Sequence, residues 1–209
     1  MKNIYIAIPI VFLLLILLKK FKPKKPIQNK NLNKMDSENL FNDLVKFVLR
    51  MEGGLTADKA DSASKFPSPT KELYHTNKGI TYKTFIDSAK VLNFNPSTDN
   101  FLKMPSDIWL KIFKEKYYNK TKTFTDNEVL NSYLSLWYWG GWYLPYMPIK
   151  IVADLLAKPI SNKEKLKGLT ELRKIYFDKV IAANPKNKKF EKGWKNRADE
   201  FYTEFEKYL

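Results

Sequence analysis

The sequence predicts a mostly α fold: a helical domain with a possible short hairpin, preceded by an N-terminal membrane helix. Two observations carry that prediction. From Met35 onward, apolar residues recur at three- and four-residue steps, and no run alternates long enough to build a sheet. Ahead of them stands an apolar run, Ile4 to Leu18, bounded by lysines. The 209 residues are 44% hydrophobic and 15% aromatic, too rich in core-forming side chains for a disordered chain. With no cysteine, disulfides, thiolate metal sites and a cysteine nucleophile are excluded. The single histidine, His75, excludes a histidine-rich metal site and argues against a Ser-His-Asp triad. Any chemistry must therefore run on carboxylates, hydroxyls and amides.

Residues 1–18 read as the anchor. The run is shorter than the roughly 20 residues of a full span, but Lys2, Lys19 and Lys20 can snorkel from its ends. A cleaved signal peptide has a core of similar length. Lysines follow Leu18 in place of a small-x-small cleavage site, which favours an uncleaved, single-pass anchor. Residues 19–34 (KKFKPKKPIQNKNLNK) contain seven lysines, no acid and two prolines, so self-repulsion keeps them a solvated basic tether. Of the net charge of +15, the first 34 residues carry +8 and the remainder +7. Nucleic acid is not an expected partner, because the tether's lysines are not interleaved with aromatics on a folded face.

The helices follow in order. Leu40, Phe41, Leu44, Val45, Val48 and Met51 form one stripe, with Asp36 or Ser37 available as N-cap. Ser106 can cap a helix carrying Trp109, Ile112, Phe113 and Tyr117; another carries Val129, Leu130, Tyr133, Leu134 and Trp137. Ser161 with Glu164 is a capping-box pattern that opens a helix through Val180. The last stripe runs from Phe190 through Trp194, Ala198, Phe201 and Phe205 to Tyr208. A short hairpin fits only between Leu55 and Thr81.

Chemistry is expected between Met51 and Thr81. The first domain helix should stop at Gly53-Gly54, since glycine takes the left-handed conformation freely. Glu52 then sits in the last turn, at the negative end of the helix dipole and beside Met51. Both surroundings favour its protonated form, which a general acid needs. Asp58 and Asp61 follow, and two carboxylates flanking a sugar are the minimum equipment for glycoside hydrolysis. The bland alternative for both is loop solvation. Thr76 offers a hydroxyl to a water or a sugar, Gly79 permits a close backbone approach, and His75 is expected to be a hydrogen-bonded loop residue. In Leu136 to Tyr146 three tryptophans fall within six positions. Trp137 and Trp139 are expected in the core, whereas Trp142 and Tyr143, beyond Gly140-Gly141, are the candidates for contact with a glycan.

Glu52-Gly53-Gly54, then Asp58 and Asp61, then Thr76-Asn77-Lys78-Gly79-Ile80-Thr81 resemble the N-terminal signature of glycoside hydrolase family one hundred and eight, lysozyme-like N-acetylmuramidases. The similarity continues through Phe101-x-x-Met104 and Ile108-Trp109-x-x-Ile112-Phe113-x-x-x-Tyr117. It resumes at Phe190-x-x-Gly193-Trp194-x-Asn196-Arg197, which resembles the family's small C-terminal peptidoglycan-binding region. The resemblance implies a lysozyme-like catalytic region over 35–160 and a helical peptidoglycan-binding region over 161–209. It also implies Glu52 as catalytic acid, with no metal or cofactor needed; Asp61 and Thr76 are its expected partners, and Asn77, Trp142 and Tyr143 the expected substrate contacts. Peptidoglycan is the implied partner and its β-1,4 bond between N-acetylmuramic acid and N-acetylglucosamine the implied target. The domain would act in the periplasm or at the cell wall. The lysines after the anchor instead favour the cytoplasmic side by the positive-inside rule. Leu136-Trp137 and the apolar, basic Ile149–Ala153 depart from the family pattern. A catalytically degenerate, membrane-anchored wall-binding or assembly protein is therefore the alternative.

Overall fold

The computed structural model describes residues 34–59, 62–66, 68–142 and 144–209. The anchor, the tether up to residue 33, Asp61 and Tyr143 lie outside the described residues. Among those described, no helix is long and apolar enough to cross a membrane.

The domain is mostly helical, and its helices are arranged around one core. α1 (Lys34–Met51) buries Leu40, Leu44, Phe47 and Val48. It begins before the expected caps, so Asp36 lies in its first turn, where a carboxylate complements the positive end of the dipole. After a 3-10 turn (Ser62–Lys65) come β1 (Thr76–Asn77) and β2 (Ile80–Thr81), paired antiparallel with Thr76 opposite Thr81 and Asn77 opposite Ile80. The two-residue connection, Lys78-Gly79, has φ of 45° and 75°. Positive φ at both central residues is the turn whose twist matches a hairpin.

Three helices appear that the periodicity did not reveal: α2 (Tyr82–Leu92), α3 (Thr98–Lys103) and, later in the chain, α6 (Ile149–Leu156). Each buries only about three side chains or fewer, too few to establish a period. Hydroxyl caps start the first two: Thr81 accepts from the Thr84 N–H and Ser97 from the Asn100 N–H. α4 starts at Ser106, with Pro105 rather than Ser106 in the cap position and no side-chain cap. It spans Ser106–Phe113 and continues through a π-helical turn (Lys114–Tyr118) to Asn119–Thr121. The i to i+5 spacing of that turn puts Phe113 and Tyr118 on one face. Both rings meet Phe41 of α1, at 6.4 and 4.9 Å.

α5 (Glu128–Trp139) is the central helix, buried on nearly every side from Val129 to Ser135 and again at Trp137. α7 (Asn162–Ala183) opens on the expected Ser161–Glu164 capping box. α8 (Glu191–Phe205) brings Phe201 to within 4.9 Å of Tyr133 on α5 and 5.5 Å of Phe47 on α1. Residues on both sides of position 160 thus belong to the same core, which runs from Leu40 through Trp137 to Phe205.

Candidate active site

Glu52 follows α1 directly, its N–H still bonded to the Val48 carbonyl at 3.1 Å. The helix does not stop on a left-handed glycine: neither Gly53 nor Gly54 has a positive φ. A Cβ on either would meet nothing within 4 Å. The two glycines leave open space beside the acid instead of terminating the helix by conformation.

The Glu52 carboxyl is half-buried between two elements distant in sequence. From α5, the Trp139 indole N–H donates to Oε1 at 2.7 Å. From the hairpin, Gly79 comes so close that a Cβ there would lie 2.7 Å from Oε2 and 2.8 Å from Cδ, and would also strike the Trp139 ring. The expected close backbone approach at Gly79 is therefore an approach to Glu52 itself. The hairpin is held in that position from behind. Asn77 donates to the Phe101 and Leu102 carbonyls at 2.8 and 2.9 Å, Lys78 Nζ to the Met104 carbonyl at 3.0 Å, and the Trp109 indole to the Lys78 carbonyl at 3.0 Å.

Trp139 is set in an aromatic frame. Tyr117 meets its ring edge-on at 4.8 Å, Phe113 at 5.4 Å and Trp109 at 5.6 Å. Tyr117 belongs to the π-helical turn, a backbone irregularity frequent at functional sites. Burial pushes its phenol above the usual tyrosine range; a hydrogen bond with Thr84 opposes this and the charge of Glu52 adds to it. Tyr117 is thus a neutral hydroxyl near the acid at any physiological pH.

The remaining candidates divide. Thr56 bridges to Thr76, and the buried His75 ring closes the loop before Asp61: Nε2 lies 3.1 Å from the Asp58 carbonyl and Nδ1 3.0 Å from the Thr76 hydroxyl. A carbonyl only accepts, so Nε2 carries a proton; in the neutral ring Nδ1 then accepts from the Thr76 hydroxyl. His75 is the loop-fastening residue expected of it. Asp58 is exposed. Asn77, expected to touch substrate, is 3% exposed with its amide spent on two carbonyls, so it fastens the hairpin and presents no face to a glycan. Trp142, expected to be exposed, is half-buried against Phe124, Trp137 and Tyr138 and donates to the Met147 carbonyl at 2.7 Å. The indole at Glu52 is Trp139, which was expected in the core. Its signal was the tryptophan cluster around Gly140-Gly141, but local sequence alone does not say which indole faces the site. Among the described residues, no group of three or more His, Asp or Glu side chains could hold a metal ion.

Comparison with known families matches residues 45–136 to the family described as Glycosyl hydrolase 108. The matched stretch holds Glu52, the hairpin and Tyr117, and ends three residues before Trp139. It supports a glycoside hydrolase acting on a glycan. No curated protein and no solved structure matches the chain.

Proposed function

We propose that the chain is a peptidoglycan hydrolase of the N-acetylmuramidase type, with Glu52 as general acid. The observation that carries the reading is the carboxyl held between Trp139 and Gly79. The Trp139 N–H donates to Oε1, which leaves Oε2 as the oxygen proposed to deliver the proton. That proton passes to the glycosidic oxygen between N-acetylmuramic acid and N-acetylglucosamine as the C–O bond breaks. Positive charge develops on the sugar ring, and water completes the hydrolysis. Asp61 is the proposed second carboxylate, a role that rests on the family resemblance. It would stabilise the cationic sugar or activate water, with the Thr76 hydroxyl positioning that water. The separation of the two carboxyls decides between retention and inversion. The 1–18 run is proposed as a membrane anchor, with the domain at the periplasmic or wall face.

Zymography on purified walls tests the reading. Clearing by wild type and its loss in Glu52→Gln supports the enzyme. Equal clearing by both proteins removes Glu52 as the acid, and no clearing by either favours a wall-binding protein.

A further inference from the structure

A cavity of ≈ 200 Å³ lies between α1, α5, α7 and α8, with Glu52 among its lining residues. Trp137, Tyr176, Phe177 and Trp194 give it aromatic walls. Arg173, a charged side chain from α7 that is only 7% exposed, also lines it. The guanidinium carbon stands 5.2, 5.1 and 4.7 Å from the ring centres of Trp137, Tyr176 and Phe177. Its hydrogen bonding is far from complete. Among the described residues, Nη1 is buried without a partner and Nη2 reaches only the Leu136 carbonyl, at 3.5 Å. The charges felt by Arg173 among the described residues come from Tyr133 and Tyr176, with no carboxylate among them. The acids of neighbouring helices pair elsewhere, Asp199 with Lys174 and Asp178 with Lys195.

A buried guanidinium without an anion is costly, and stacked aromatic faces only partly offset the loss of water. Burial pulls its pKa down to about 10, which still leaves it charged at neutral pH. Gly140 has room for no side chain, because a Cβ there would strike Nη2. The exposed Arg197 adds a second cation to the lining.

We infer that this cavity is a subsite for a carboxylate carried on a small apolar group, with Arg173 as its anchor. A guanidinium matches a carboxylate with two parallel N–H bonds, and the aromatic walls select an apolar stem. A dry cavity of comparable size accommodates a benzene-sized group, so this one admits about six to eight non-hydrogen atoms. A terminal alanine residue fits those limits; a disaccharide does not. Given the hydrolase reading, on which the identity of the ligand rests, the occupant is the free carboxylate end of a wall peptide stem. Binding there would hold the attached glycan beside Glu52. α7 and α8 would then select strands bearing uncapped stems while α1 and the hairpin carry the chemistry.

The test is calorimetric titration of the full chain with acetyl-D-alanyl-D-alanine and, separately, with its C-terminal amide. The acid is expected to bind saturably and the amide about tenfold more weakly or worse. Arg173→Met should abolish that preference. Equal binding of acid and amide, no saturable binding of the acid at millimolar concentration, or an unchanged preference in Arg173→Met would each overturn the subsite. If Arg173→Met does not fold, the acid–amide comparison on wild type decides alone. Neither outcome depends on hydrolysis: walls cleared without peptide binding refute only the subsite, and peptide binding with full clearing by Glu52→Gln refutes only the assigned acid.

Discussion

The indole N–H of Trp139 donates to Oε1 of Glu52 at 2.7 Å, joining residues 87 apart in sequence. The central helix thereby supplies the donor that occupies one of the two carboxyl oxygens. Glu52→Gln keeps an acceptor for that N–H but cannot act as an acid. Removing a general acid costs about 10²- to 10⁴-fold in rate. Wall-clearing rates should fall by that range, with the melting temperature nearly unchanged.

Trp139→Phe keeps a ring for Tyr117, Phe113 and Trp109 but removes the donor. A hydrogen bond to a neutral group contributes about 0.5–1.5 kcal/mol. Clearing should slow by about two- to tenfold, and the circular dichroism spectrum should stay that of the wild type. A rate equal to wild type would mean that the indole only packs.

Gly79→Ala and Gly53→Ala should behave oppositely. At Gly79 the methyl meets Glu52 and Trp139 on a backbone of φ +75°. A non-glycine residue in that region costs of order 1–3 kcal/mol, before any displacement of the acid. At Gly53 the methyl enters open space, so stability should stay within about 0.5 kcal/mol. Urea unfolding of the pair checks both, and activity should disappear only in Gly79→Ala.

Asn77→Ala removes the two bonds to the Phe101 and Leu102 carbonyls. Leaving a buried polar group unsatisfied costs about 1–3 kcal/mol. The variant should melt at lower temperature and lose activity with the hairpin's position. Normal stability with weakened glycan binding would instead restore Asn77 as a substrate contact.

Asp43 ties α1 to the chain's end: a hydrogen bond from the Tyr208 hydroxyl, then Lys207, holds its carboxyl below the usual value of 3.8. A depressed folded-state pKa contributes stability that is complete above the unfolded value and is lost as pH falls through the folded one. The melting temperature of wild type should exceed that of Asp43→Asn at pH 7. The difference should shrink below about pH 4, the unfolded-state range, and vanish once pH is below the folded value. Because the pair is partly exposed, the effect should stay near or under about 1 kcal/mol.

The longer helices were legible in the residue pattern, because a stripe such as Leu40, Leu44 and Val48 repeats a local period that needs no knowledge of partners. The Ser161 capping box was legible too, since caps are short-range chemistry, and the hairpin was bracketed between Leu55 and Thr81 without its turn being located. Tertiary structure alone decided which aromatic faces the acid. Trp137 and Trp139 are neighbours in one helix, yet one is buried and the other donates to Glu52. Their difference depends on where α1 ends relative to α5, a distance no local pattern encodes. The same holds for Asn77, whose amide seemed available until α3 supplied two carbonyls, and for Arg173, an ordinary helical cation until three rings closed around it. Periodicity reports how much of a side chain is buried; only packing determines what it is buried against.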